Sequence, residues 1–278
     1  MTNTPQPQPQ RHDGEQHDGK QHGESDAALA ARLATEAGEL LVRVRHELVS
    51  QGAYAWQVMD TGDVASHRFL MDAFRAARPT DAVLSEEGVD SGHRLTSDRV
   101  WIIDPLDGTN EFGEHGRQDW AVHIALWERD RLTAGAVSLP ALGLTFATEP
   151  APVLPDQVRA RPRLITSRNR NPYSAVVIAQ ALDCDAIRLG SAGAKAMAVV
   201  VGEADIYVHD GGMYQWDSAA PAAVAAAAGL HVSRIDGSPL VYNERDPWLP
   251  DFIICRQQYA QPALEALRAD VRLGRQWR

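Results

Sequence analysis

The run Trp101-Ile102-Ile103-Asp104-Pro105-Leu106-Asp107-Gly108-Thr109 constrains this chain more than any other stretch. Trp101, Ile102 and Ile103 suit the core of a buried strand. Asp104 precedes a proline, which biases it toward extended backbone. Pro105 has no N–H, so the strand is expected to end there. Gly108 permits a tight turn, and Thr109 can cap a helical turn after it. Two carboxylates, Asp104 and Asp107, are thereby projected around one bend. Acids so placed repel unless a cation lies between them. An all-oxygen donor set favours a hard ion such as Mg²⁺. Asp, Pro and Gly are also ordinary turn residues, so a plain surface turn fits the spacing too.

Residues 1–25 contain no aliphatic or aromatic residue beyond Met1, so they are expected to be a disordered tail. Its three histidines, His12, His17 and His22, read as solvated rather than metal-binding. From Asp26 to about Val49, Leu29, Leu33, Leu40, Leu41 and Val44 recur at helical spacing, with Ser25 or Asp26 as the cap. Residues 51–60 read as a strand through Tyr54, Trp56 and Val58. Asp63 to Ala77 reads as a second helix burying Phe69, Leu70, Ala73 and Phe74, with Asp63 a candidate N-cap. A short strand, Ala82 to Ser85, leads into Glu86 and Glu87. Its end position makes Glu86 a candidate ligand rather than plain solvated charge.

After Thr109 the pattern predicts strands rather than helices. Residues 120–127, 132–139 and 144–148 form an expected antiparallel meander. Residues 149–162 carry four prolines and mark the expected boundary between subdomains 26–155 and 156–278. Beyond it, strands at 164–166, 186–189, 204–208 and 230–233 alternate with helices at 172–182, 192–201 and 217–228. The fold class is therefore α/β, with an α+β first half and an α/β second half. Pro221 is tolerated only in a first helical turn, so the last of these helices should begin near Asp217 or Ser218. That would leave the Asp217 carboxylate at a positive helix end, free to face a cation. Gly190-Ser191-Ala192-Gly193-Ala194-Lys195 opens a helix whose free N–H groups suit an anion, though glycines there also allow close packing. Lys195 is the only lysine besides Lys20, which makes it a candidate phosphate contact.

The net charge of −10 argues against a nucleic-acid polymer or an anionic membrane as partner. No apolar run approaches the ~20 residues of a membrane span, and no apolar core of a signal peptide is present. Cys184 and Cys255 are too few for a disulfide framework or a zinc site, and suit a reducing cytoplasm.

The central motif resembles the signature of the inositol monophosphatase superfamily of Mg²⁺-dependent, lithium-sensitive phosphatases. That family also has an upstream acidic pair and a Trp-Asp opening a late helix. Here these are Ser85-Glu86-Glu87 and Trp216-Asp217-Ser218-Ala219-Ala220, so the resemblance spans roughly residues 26 to 255. The haloacid-dehalogenase motif Asp-x-Asp-Gly-Thr does not fit, because Pro105 occupies its nucleophile position. The resemblance implies a layered αβαβα fold. It implies that Glu86, Asp104, Asp107, Asp217 and the Leu106 carbonyl hold two or three Mg²⁺ ions. It also implies that Thr109 and Asp63 orient and help deprotonate the attacking water. Gly108, Thr109, Asn110, Ser191, Lys195 and Asp217 are the expected substrate contacts. Asn110-Glu111-Phe112 and Lys195 are most similar to the CysQ-type 3′(2′),5′-bisphosphate nucleotidases, which usually carry Lys or Arg where this chain has Asn110. The implied reaction is removal of the 3′-phosphate of 3′-phosphoadenosine 5′-phosphate. The alternatives are hydrolysis of inositol-1-phosphate or fructose-1,6-bisphosphate, or a phosphate-binding scaffold without turnover. The implied partner is a small phosphorylated metabolite, and a homodimer is consistent with the family.

Overall fold

The computed structural model describes residues 23–156 and 159–270. The expected tail therefore lies, apart from Gly23, Glu24 and Ser25, outside the described residues. The first sheet runs in the order β1 (Ala82–Ser85), β2 (Arg99–Asp107), β3 (Ala121–Glu128), β4 (Arg131–Leu139) and β5 (Leu144–Ala147). β1 is parallel to β2, and the rest is an antiparallel meander. Period-two alternation makes β2 face two cores. Trp101 and Ile103 pack under α1 (Asp26–Ser50) and α2 (Ala55–Ala77), while Val100 and Ile102 face the opposite side. Helix α1 contributes Leu29, Leu33, Ala37 and Leu41, one buried residue per turn. Each of these buried leucines stabilises the fold by about 1.5–3 kcal/mol.

The second sheet has the order β7-β6-β8-β10-β9, from β6 (Arg163–Ser167), β7 (Asp185–Leu189), β8 (Ile206–Tyr214), β9 (His231–Ser233) and β10 (Trp248–Cys255). β6 is parallel to β7 and β8, while β10 is antiparallel to β8 and β9. Between the sheets lie α5 (Ala192–Val200) and α6 (Gln215–Ala227). Their buried alanines, among them Ala196, Ala219, Ala220 and Ala225, let two sheets approach a single helical layer. α4 (Tyr173–Ala181) and α7 (Gln257–Ala269) cover the outer face. The layers are thus αβαβα, and α3 (Thr109–Gly113) is a single turn after β2.

Several expectations are corrected. Residues 55–60 are the first turns of α2, not a strand. Tyr54, Trp56 and Val58 alternate, but Tyr54 and Trp56 are exposed, and the true buried row is Val58, Gly62, Ser66, Leu70 and Phe74. Gln57 Oε1 accepts from the Tyr54 N–H at 2.9 Å and closes the helix start. Asp63 is therefore in a helix interior and is not an N-cap. The strand does not end at Pro105. Pairing shifts between Asp104↔His123 and Asp107↔Ala121, so Pro105 and Leu106 oppose a single residue. That bulge absorbs the missing N–H and lets β2 run on to Asp107. Thr109 opens α3, whose cap is Gly108, so the chain after the motif is briefly helical. Helix α6 begins at Gln215, which puts Pro221 in its interior. Pro221 is itself buried there, and its missing N–H leaves the Asp217 carbonyl without the usual i+4 helical donor.

Candidate active site

The bulge in β2 and the start of α5 make the site. Asp104 closes its own turn, with Oδ1 accepting from the Leu106 N–H at 3.0 Å. Its other oxygen, Oδ2, is buried and has no hydrogen-bond partner among the described residues. Asp107 points at the α5 N-terminus. Its Oδ1 accepts from the Ala192 N–H at 3.1 Å, and its Oδ2 accepts from the Gly193 N–H at 2.7 Å and from the Ser191 hydroxyl. The helix start expected to suit an anion thus has one already, the Asp107 carboxylate. His123 on β3 adds a second contact. Its Nε2 lies 3.1 Å from Asp107 Oδ2, without the alignment of a hydrogen bond, and its Nδ1 lies 3.2 Å from the Trp216 carbonyl. Only glycine fits beneath it, since a Cβ on Gly193 would come 2.2 Å from His123 Nε2.

Asp217 stands in the first turn of α6, where Oδ2 accepts from the Tyr214 N–H at 2.7 Å. Asp104, Asp107 and Asp217 each offer an oxygen, and these atoms lie within 4.8 Å of one another. Such a set, with one orphaned buried oxygen, fits a hard divalent ion. The electrostatics agree. Burial first, then Glu86, Asp107 and Asp217, pushes Asp104 well above the usual carboxylate range. Burial and then Asp217 push Glu86 up to about 7, and burial and then Asp107 push Asp217 up to about 6. Asp107 goes the other way. Burial alone would raise it, but His123, Lys195 and the Ser191 hydroxyl outweigh that and hold it well below the usual range. One carboxylate is anchored as the anion, and three compete for protons that a cation would displace.

Thr109 and Asp63 are brought together. The Thr109 hydroxyl lies 3.3 Å from Asp63 Oδ1 and 3.1 Å from the Leu106 carbonyl oxygen. Burial and then Glu87 push Asp63 up to about 7.

Lys195, the candidate phosphate contact, lines the cavity above the acids. It is 4% exposed, and its ammonium donates to the carbonyls of Gly190 at 2.6 Å and Ser191 at 2.5 Å. It ties down the turn that holds Asp107. Ser191, in a left-handed conformation (φ 34°), also accepts from the Ala194 N–H at 2.9 Å. Gly108 and Asn110 do not line the cavity above the acids; Gly108 is the left-handed residue ahead of α3, and Asn110 is exposed. Glu111 is buried and paired with Arg168, its Oε1 2.8 Å from Arg168 Nε.

The cavity has a volume of about 470 Å³, and its lining includes Glu86, Asp107, Ser191, Lys195, Asp217 and, on its far elements, Arg170 and Trp248. A larger groove of about 850 Å³ lies against α1 and β5, and none of the expected site residues line it. Sequence reasoning missed His123, Arg170 and Trp248. His123 had a signal, a lone polar residue inside the apolar strand Ala121-Val122-His123-Ile124-Ala125. Arg170 and Trp248 had none, because only the sheet topology brings them to the acids.

A model of the inositol monophosphatase family matches residues 23–271. The 3'-phosphoadenosine 5'-phosphate phosphatase of Mycobacterium leprae is 49% identical over 256 residues, 88% of this chain and 94% of that protein. The 3'(2'),5'-bisphosphate nucleotidase CysQ of Escherichia coli strain K12 is 30% identical, over 78% of this chain and 94% of its own length. Among solved structures, inositol monophosphatase II from Staphylococcus aureus superposes with a TM-score of 0.74 at 19% identity, covering 90% of this chain and 96% of the other. CysQ from Bacteroides thetaiotaomicron superposes with a TM-score of 0.67 at 25% identity, covering 85% and 98%.

Proposed function

The chain belongs to the inositol monophosphatase family, and from that premise we propose that it removes the 3′-phosphate of 3′-phosphoadenosine 5′-phosphate in a Mg²⁺-dependent reaction. The observation that carries the reading is the convergence of Asp104, Asp107 and Asp217, with a buried orphan oxygen, beside the Thr109–Asp63 pair. The names of the similar relatives supply the substrate. Glu86, Asp104, Asp107, Asp217 and the Leu106 carbonyl would hold two or three Mg²⁺ ions. Bound ions neutralise charge on phosphoryl oxygens and make a water molecule more acidic.

The chain's own residues do the rest. Asp107, fixed by three hydrogen bonds at the α5 start, keeps its charge and its place at any working pH. Thr109 and Asp63 hold the attacking water, and Asp63, raised toward neutrality, takes its proton. The substrate's second phosphate needs a cation outside the acid cluster. Lys195 is committed to two carbonyls, so Arg170 is that cation. Arg170 is exposed, lines the cavity and spends Nη1 on the Gly212 carbonyl at 3.0 Å, with no other side-chain hydrogen bond among the described residues. The neutral Asn110 is thereby compensated from the other sheet. A panel of phosphate esters at fixed Mg²⁺ tests the reading. 3′-Phosphoadenosine 5′-phosphate should exceed inositol-1-phosphate and fructose-1,6-bisphosphate at least tenfold in kcat/KM. The reverse order would replace the nucleotidase reading with the monophosphatase one.

A further inference from the structure

A nucleotide substrate presents a flat base as well as two phosphates, and an aromatic face is the surface that holds a base with little regard to its edge. Three aromatic rings on β8 and β10 border the cavity, Tyr207, Tyr214 and Trp248. Tyr214 is 46% exposed, but one face is stacked on Trp216 with centroids 4.7 Å apart and planes 14° apart, and it offers a smaller ring than an indole. Tyr207 is fully buried, edge-on to Phe252 at 5.0 Å and under the Lys195 ammonium at 5.4 Å. Trp248 is the third, and it is 49% exposed.

Its position is built rather than incidental. In the β8–β10 ladder, Leu249 pairs with Met213 while Asp251 pairs with Asp210. Gly211 and Gly212 therefore oppose the single residue Pro250, a bulge that re-aims the start of β10. Both glycines are left-handed, at φ 87° and 90°. A Cβ on Gly212 would come 2.5 Å from Trp248 Nε1, so the indole rests on bare backbone there. The Gly212 carbonyl is fixed from two sides, by Arg170 Nη1 at 3.0 Å and by His209 Nε2 at 3.0 Å. The turn under the ring is thus the same one that orients the guanidinium.

We propose that Trp248 is the stacking platform for the nucleobase, and hence the residue that separates nucleotide substrates from phosphorylated sugars in this cavity. The proposal rests on the nucleotidase reading given above. Its test compares adenosine 3′,5′-bisphosphate with the abasic 1-deoxyribose 3,5-bisphosphate, which keeps both phosphates and lacks the base. Trp248→Ala should raise KM for the nucleotide about ten- to a hundredfold, the usual loss on removing a base–aromatic stack. Its kcat for the nucleotide and its kcat/KM for the abasic ester should stay within about twofold of the unmodified enzyme. Trp248→Phe should recover most of the lost affinity. If Trp248→Ala does not fold, Trp248→Leu gives the same comparison, keeping an apolar side chain on the Gly212 backbone with no aromatic face. An equal loss for both substrates, or no loss for either, overturns the platform. Failure of the unmodified enzyme to release phosphate from the nucleotide instead overturns the substrate reading beneath it.

Discussion

Asp104→Asn and Asp107→Asn are chemically the same substitution three residues apart, and the structure predicts opposite effects on stability. Asp107 Oδ2 accepts from the Gly193 N–H and the Ser191 hydroxyl, and Oδ1 accepts from the Ala192 N–H. An asparagine has one acceptor oxygen, so its amide NH₂ must face at least one of these donors. One or two charge-assisted bonds, each worth about 1.5–3 kcal/mol, are lost in a buried place. A net loss of about 3 kcal/mol lowers the thermal midpoint by about 6–12 °C in a chain of this size. At Asp104 the opposite holds. Oδ1 keeps its bond from the Leu106 N–H, and the buried orphan Oδ2 becomes an NH₂ that can donate to Glu86. Repulsion from Glu86, Asp107 and Asp217 also falls away. Metal-free Asp104→Asn should therefore be at least as stable as the unmodified protein, while both variants lose nearly all turnover. The assay is thermal unfolding in chelator, with phosphate release measured in Mg²⁺. An Asp107→Asn midpoint equal to that of the unmodified protein, or an Asp104→Asn midpoint well below it, would refute the assignment of Asp107 as anchor.

Three further expectations follow from the same geometry. Glu86 at about 7, Asp217 at about 6 and Asp104 higher still bind protons in the folded, metal-free protein that the unfolded chain has released above about pH 4. Metal-free stability should thus fall as pH rises from about 4 to 7, and saturating Mg²⁺ should flatten that fall; midpoints across this range with and without Mg²⁺ check it. Gly193→Ala puts a Cβ 2.2 Å from His123 Nε2, so it should cost about 1–3 kcal/mol and displace the imidazole from Asp107, read as a lower unfolding midpoint and reduced turnover. Lys195→Met removes the tie to the Gly190 and Ser191 carbonyls, so it should lower kcat/KM for bisphosphate and monophosphate esters alike, whereas a loss confined to the bisphosphate would restore Lys195 as a direct phosphate contact.

The layers were legible because apolar periodicity is local. Leu29, Leu33 and Leu41 declare α1, and the meander from Ala121 to Ala147 declares three strands of the first sheet. The acids were legible because proline and glycine mark the turn that carries them. What escaped depends on contacts between distant segments. Alternating aromatics at Tyr54 and Trp56 imitate a strand, and only the cap from Gln57 and the buried row below them reveal a helix. Pro105 reads as a strand end until a bulge in its own strand, visible only in the pairing with β3, accommodates it. Lys195 reads as a candidate phosphate contact, and no local pattern shows that the fold turns its ammonium onto two carbonyls of its own turn. Arg170 meets the acids only through the pairing of β6 with β8, which no pattern within either segment encodes.

The most direct test is product identification after incubation of 3′-phosphoadenosine 5′-phosphate with the full chain. In Mg²⁺, adenosine 5′-monophosphate and inorganic phosphate should accumulate together in equal amounts, and chelator should stop both. Adenosine 3′-monophosphate as the product would contradict the placement of the 3′-phosphate over Asp104, Asp107 and Asp217. Undiminished release in chelator would contradict the role of those carboxylates as metal ligands.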